Sequence, residues 1–124
     1  YGPARERMLQ VLSAAKNPVV FGGDLHAFLV SDLKCADGRT VAAEFVATSV
    51  TSDPAPDRLL NELPFNPHVR FLDNKPRGYI LAQIGRDAMS VDLRAISDRR
   101  DPAASVSTLK AWRVEAGKPG AILA

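Results

Sequence analysis

Apolar positions in the first sixteen residues recur at helical spacing. Met8, Val11, Leu12 and Ala15 share one side, while Arg5, Glu6, Arg7, Gln10 and Lys16 fill the remainder, so the pattern predicts a helix over residues 3–16. Pro3 suits a first turn, and Asn17-Pro18 stops the helix. Val19-Val20-Phe21 follows as a short continuous apolar run, the pattern of a strand buried on both faces. Gly22-Gly23 ends that run and Asp24-Leu25-His26 comes next, much as α/β proteins place functional groups at strand ends. Residues 27–34 fit either a short helix or a strand, and Asp37-Gly38 marks a turn. Residues 41–50 alternate, with Val41, Ala43, Phe45, Ala47 and Ser49 on one face and Ala42, Glu44, Val46 and Thr48 on the other. A long connection over residues 51–67 contains Pro54, Pro56, Pro64 and Pro67, with room for about two helical turns at 57–63. Beyond His68 the pattern turns to antiparallel β, with strands at 69–72, 79–84, 90–96 and 106–114. Hairpins at that spacing predict a meander.

The chain has 124 residues and a mass of 13.4 kDa, which predicts one domain over residues 1–124. Sixteen Lys and Arg against fourteen Asp and Glu leave a net charge of +2, too small to argue for a nucleic-acid or membrane-surface partner. Aromatic residues at 6% are also too sparse for a nucleic-acid binder. A single cysteine, Cys35, excludes an internal disulfide framework and a cysteine-based zinc site. No apolar run approaches the ~18 residues of a membrane span. The chain opens on Tyr1-Gly2-Pro3-Ala4-Arg5, without a signal-peptide pattern or an initiator Met, so the expectation is a cut point and a longer parent chain.

Chemistry has few candidates. His26 and His68 are the two histidines, and a lone histidine is more often structural than catalytic. His26 has better company. Asp24 and His26 flank Leu25 after a diglycine, and such a pair on sharply bent backbone can aim a carboxylate and an imidazole at one or two cations. The plainer alternative has Asp24 capping the next element and His26 hydrogen-bonded in the core. Two ligands alone are fewer than a hydrolytic metal centre needs. Glu44 interrupts an apolar strand; it is either solvent-facing or an acceptor that orients His26 from behind. Residues 48–52, Thr-Ser-Val-Thr-Ser, form a hydroxyl-rich strand end, and no elbow motif marks Ser49 as a nucleophile. Asp98, Arg99, Arg100 and Asp101 read as a solvated loop.

Several stretches, taken together and in order, resemble the PhoD-like alkaline phosphatase D family. They are residues 17–26 (Asn-Pro-Val-Val-Phe-Gly-Gly-Asp-Leu-His), residues 31–34, residues 44–52, Asn66-Pro67-His68-Val69, Arg77-Gly78-Tyr79, and residues 106–109 followed by 114–120. The resemblance spans nearly the whole chain but only the C-terminal part of the family. It implies an α+β fold, mainly antiparallel with an N-terminal helix: the second half of a metallophosphatase β-sandwich flanked by helices.

The resemblance also implies function. The family's members are metallophosphoesterases, usually exported to the periplasm or cell exterior. They hydrolyse phosphate mono- and diesters by metal-activated water, using divalent and trivalent ions reported as calcium and iron. The family's Gly-Asp-x-His motif falls on Gly23, Asp24, Leu25 and His26, so Asp24 and His26 inherit the role of metal ligands. Glu44, Thr48, Ser49 and His68 are expected behind those ligands, and no catalytic residue beyond the ligands is expected in this stretch. The remaining ligands lie upstream in the family, which makes the missing N-terminal region, or a second copy of the chain, the expected partner beside the phosphate-ester substrate. The family often has Trp where this chain has Phe28, and Gly where it has Ala47. A non-catalytic binding or interaction domain with an incomplete metal site is the alternative.

Overall fold

The computed structural model describes residues 1–124. Helix α1 (Gly2–Ala14) carries its proline in the first turn and stops where Ala15 turns to extended backbone at ψ 153°. Its buried side differs from the one predicted. Leu9 is fully buried and Leu12 partly so, whereas Met8 and Val11 face solvent. The partner, not the spacing, selects this face: Leu9 packs against Leu33, Val41 and Ala42 of the sheet beneath it.

The strands are β1 (Val19–Gly22), β2 (Phe28–Lys34), β3 (Thr40–Val46), β4 (Val69–Asp73), β5 (Arg77–Ile84), β6 (Ala88–Ile96), β7 (Val106–Glu115) and β8 (Ile122–Leu123). A 3-10 helix, Asp57–Phe65, interrupts the proline-rich connection where a short helix was expected. The strands form two four-stranded sheets, ordered β1-β3-β2-β4 and β5-β6-β7-β8. The β1–β3 pair is parallel and the others are antiparallel. Phe28, Val30, Ala43 and Phe45 of the first sheet meet Met89, Val91, Leu93, Trp112 and Val114 of the second in one core cluster. Alternation along each strand makes this possible, because every second side chain points to the partner sheet. The expected α+β architecture, a helix with antiparallel-rich sheets, is the observed one. No helix is long and apolar enough to cross a membrane.

Three elements depart from the sequence reading. β1 is an edge strand and only partly buried: Val19 packs on the core between the sheets and Val20 on the cluster under α1, each half-buried, while Phe21 is 49% exposed. A continuous apolar run marks both faces as apolar without saying how completely each is covered. β4 does not join the meander. It pairs with β2, through Phe28↔Asp73 to Ser31↔Val69, so the chain changes sheets across residues 74–76. β8 has no strand pattern of its own and owes its conformation to pairing with β7 at Trp112↔Leu123 and Arg113↔Ile122.

Candidate metal site

The diglycine that closes β1 leads into a sharp reversal. Asp24 and His26 both adopt left-handed backbone, at φ 68° and 54°, and the Leu25 N–H closes the bend on the Gly23 carbonyl at 2.8 Å. Each such residue costs about 1–2 kcal/mol, so two within three positions persist only if their surroundings fix them. The bend turns the chain from β1 into β2 and leaves Asp24 and His26 lining one open cleft of about 590 Å3. Residues 54–56 and Arg58, Leu59 and Glu62 of the 3-10 helix form its other wall.

His26 is held with one ring nitrogen free. Its Nδ1 lies 2.9 Å from the Asp53 carbonyl oxygen. A carbonyl only accepts, so Nδ1 carries a proton, and in the neutral ring Nε2 then keeps its lone pair. Metal-bound imidazoles are commonly set in this way, the second nitrogen donating to a backbone carbonyl. A carboxylate oxygen and an imidazole nitrogen on one cleft fit as donors to a cation. No group of three or more His, Cys, Asp or Glu side chains in this chain could hold a metal ion. Two donors by themselves are fewer than a hydrolytic metal centre needs.

What fixes the bend is a buried arginine. Arg77, 6% exposed at the start of β5, donates through Nη2 to the carbonyls of His26 at 2.9 Å and Asn74 at 2.7 Å. Through Nη1 it reaches Ser49 Oγ at 2.8 Å and the carbonyls of Asp53 at 3.3 Å and Ser52 at 3.4 Å. Burial pulls the pKa of Arg77 below the usual arginine range, with the Arg99 charge adding to the effect. Asn74, fully buried, donates to the Ala55 carbonyl at 2.7 Å and to Asp57 Oδ1 at 2.9 Å, tying the 3-10 helix to the same loop. Gly78 lets β5 begin here: a Cβ at this position would sit 1.9 Å from the Arg94 carbonyl oxygen of β6.

The other candidates scatter. Ser49 sits beside the site as an acceptor for Arg77. Thr48, buried, donates to the Pro76 carbonyl at 3.1 Å and secures the same crossover. Glu44 does not orient His26. It accepts a 2.6 Å hydrogen bond from Ser31 on the neighbouring strand, and the Asp53 carbonyl takes the orienting role instead. His68 lies at the far end of β2, where its carbonyl accepts from the Asp32 N–H, and the structure does not bring it to the cleft. The loop around residue 99 is only partly solvated. Arg99 donates to the Thr51 carbonyl at 2.7 Å and to Asp53 Oδ1 at 2.5 Å. That hydrogen bond and the Arg99 charge hold the Asp53 carboxyl below its usual range. Arg77, Asn74 and Asp53 escape a sequence reading because nothing in their spacing marks them. The one available signal is that Arg77-Gly78 lies in one of the stretches that resemble the PhoD-like family.

A family model described as PhoD-like phosphatase matches residues 1–93, from α1 into β6. No curated protein gives a significant match. A solved structure of PhoD is similar to this chain with a TM-score of 0.84 at 28% identity, over 99% of this chain and 25% of that one. The chain thus spans about a quarter of the length of the solved protein it matches.

Proposed function

We propose that this chain, which belongs to the PhoD-like phosphatase family, forms the C-terminal part of a metal-dependent hydrolase of phosphate mono- and diesters. The observation that carries this reading is the pair on the bend: Asp24 and His26 line one cleft, with His26 Nδ1 committed to the Asp53 carbonyl and Nε2 free. In the proposal these two side chains are metal ligands. Metal ions, when bound, supply Lewis acidity that polarises the phosphoryl group and generates the nucleophile near neutral pH. The chain's own work is positional. The left-handed backbone at Asp24 and His26 turns both side chains out of the sheet, the Asp53 carbonyl fixes the imidazole tautomer, and the 3-10 helix shapes the wall beside the substrate.

The other ligands would come from the remaining three-quarters of a PhoD-sized protein, which this reading makes the partner of the exposed β1 edge. Calcium and iron are the proposed ions and export the proposed destination, both by family resemblance. The test is metal analysis of the full-length protein alongside phosphomonoester and phosphodiester assays. The wild type should hold metal and hydrolyse esters, and His26→Ala should lose metal together with at least about a hundredfold in activity. A full-length protein that holds no metal and hydrolyses neither ester would instead be the non-catalytic binding domain.

A further inference from the structure

We propose that Arg77 is a positioning residue for His26, setting its imidazole tautomer as well as its backbone; the proposal rests on His26 serving as a ligand. One guanidinium reaches His26 by two routes, one direct and one through Asp53. Nη2 donates to the His26 carbonyl at 2.9 Å, on a residue whose φ of 54° needs an external restraint. Nη1 donates to the Asp53 carbonyl at 3.3 Å, the same oxygen that accepts from His26 Nδ1 at 2.9 Å. The carbonyl has two lone pairs, so it serves both donors at once. The same cation pins the Ser49–Asp53 loop through Ser49 Oγ and the Ser52 carbonyl, which holds the Asp53 carbonyl in place for His26. The cation is buried without a carboxylate within ion-pairing distance, an expensive placement for a group that only fills space. Its acceptors are instead four backbone carbonyls and one hydroxyl, all belonging to the segments around His26. A lysine cannot replace it, because three donors on one compact nitrogen do not span acceptors laid out for a planar fork.

The experiment is 15N NMR of the metal-stripped full-length protein labelled at histidine, recorded at a pH where the ring is neutral, with the His26 signals assigned by their loss in His26→Gln. The wild type should show Nδ1 in the protonated, pyrrole-like position and Nε2 in the unprotonated, pyridine-like one. In Arg77→Lys the ratio of Nδ1–H to Nε2–H tautomers should fall by about fivefold, the equivalent of one ordinary hydrogen bond. Its metal affinity, read by competition with a chelator, should drop by about tenfold or more. An unchanged ratio in folded Arg77→Lys overturns the proposal. If that variant does not fold, Ser49→Ala, which removes one acceptor of Nη1, replaces it. A smaller fall in the ratio there supports the proposal and an unchanged ratio overturns it. Unaltered metal content in His26→Ala would instead strike the ligand assignment, a separate result from the tautomer ratio.

Discussion

At Gly78 a single hydrogen atom decides whether two strands can meet. The Arg94 carbonyl of β6 occupies the space a side chain would need, at 1.9 Å from an ideal Cβ. Gly78→Ala must push β5 away from β6 beside Arg77, and we expect a loss of about 3 kcal/mol in denaturant unfolding, at the upper end of ordinary overpacking. A cost below about 1 kcal/mol would mean that the strand ends yield freely. Arg77 works at the same scale. Burial costs it solvation, and its carbonyl partners replace water as hydrogen-bond acceptors. Its position immediately before Gly78 places the guanidinium where β5 enters the second sheet, under the loops that carry His26 and Asp53.

At the scale of elements, α1 is attached by little. Leu9 is its one fully buried side chain, seated on Leu33, Val41 and Ala42. Replacing it with a charge, Leu9→Asp, should release the helix while the sandwich stays folded, because the core between the sheets contains none of these residues. Hydrogen exchange would show this as loss of amide protection over residues 5–14 with β6 and β7 still protected, and joint loss in both regions would refute it. The Ser49–Asp53 loop is fastened from outside by Arg99. Because the folded-state pKa of Asp53 is lowered, its pairing stabilises the fold above the usual carboxylate range and is lost as pH falls through that lowered value. The stability difference between wild type and Arg99→Gln should thus be constant near neutrality and shrink in acid. Asp53 is exposed, so the difference should be small throughout. A difference that grows on acidification would contradict the pairing.

For the molecule as a whole, the first sheet ends on an unpaired edge. β1 has β3 on one side only, and Phe21 stacks on Phe45 at 5.9 Å between ring centres while half exposed. Such an edge is a template for further strands. The isolated 124-residue chain should therefore self-associate in light scattering, and Phe21→Lys, which places a charge on the edge, should return it toward monomer. A wild-type monomer would show that the edge is tolerated as it stands. The same chain should have little or no phosphatase activity, since two ligands cannot hold ions in register for in-line displacement. Substantial turnover that His26→Ala abolishes would overturn that expectation.

Local chemistry made much of this legible in the sequence. The diglycine, the apolar run before it and the alternation after His68 are dictated by backbone freedom and side-chain period, so the helix, most strands and the bend carrying Asp24 and His26 could be read without coordinates. Pairings over long separations could not. Which face of α1 is buried depends on Leu33 and Val41, and β8 exists because Trp112 and Arg113 present an edge to it. β4 belongs to the first sheet because the chain crosses over within three residues. Glu44 was a fair candidate to orient His26, yet Ser31 faces it across the strands. The oxygen that does orient His26 is a backbone carbonyl, a group every residue carries and no side-chain pattern can mark. Arg77 reaches that carbonyl from 24 positions away, so only the folded chain reveals the connection.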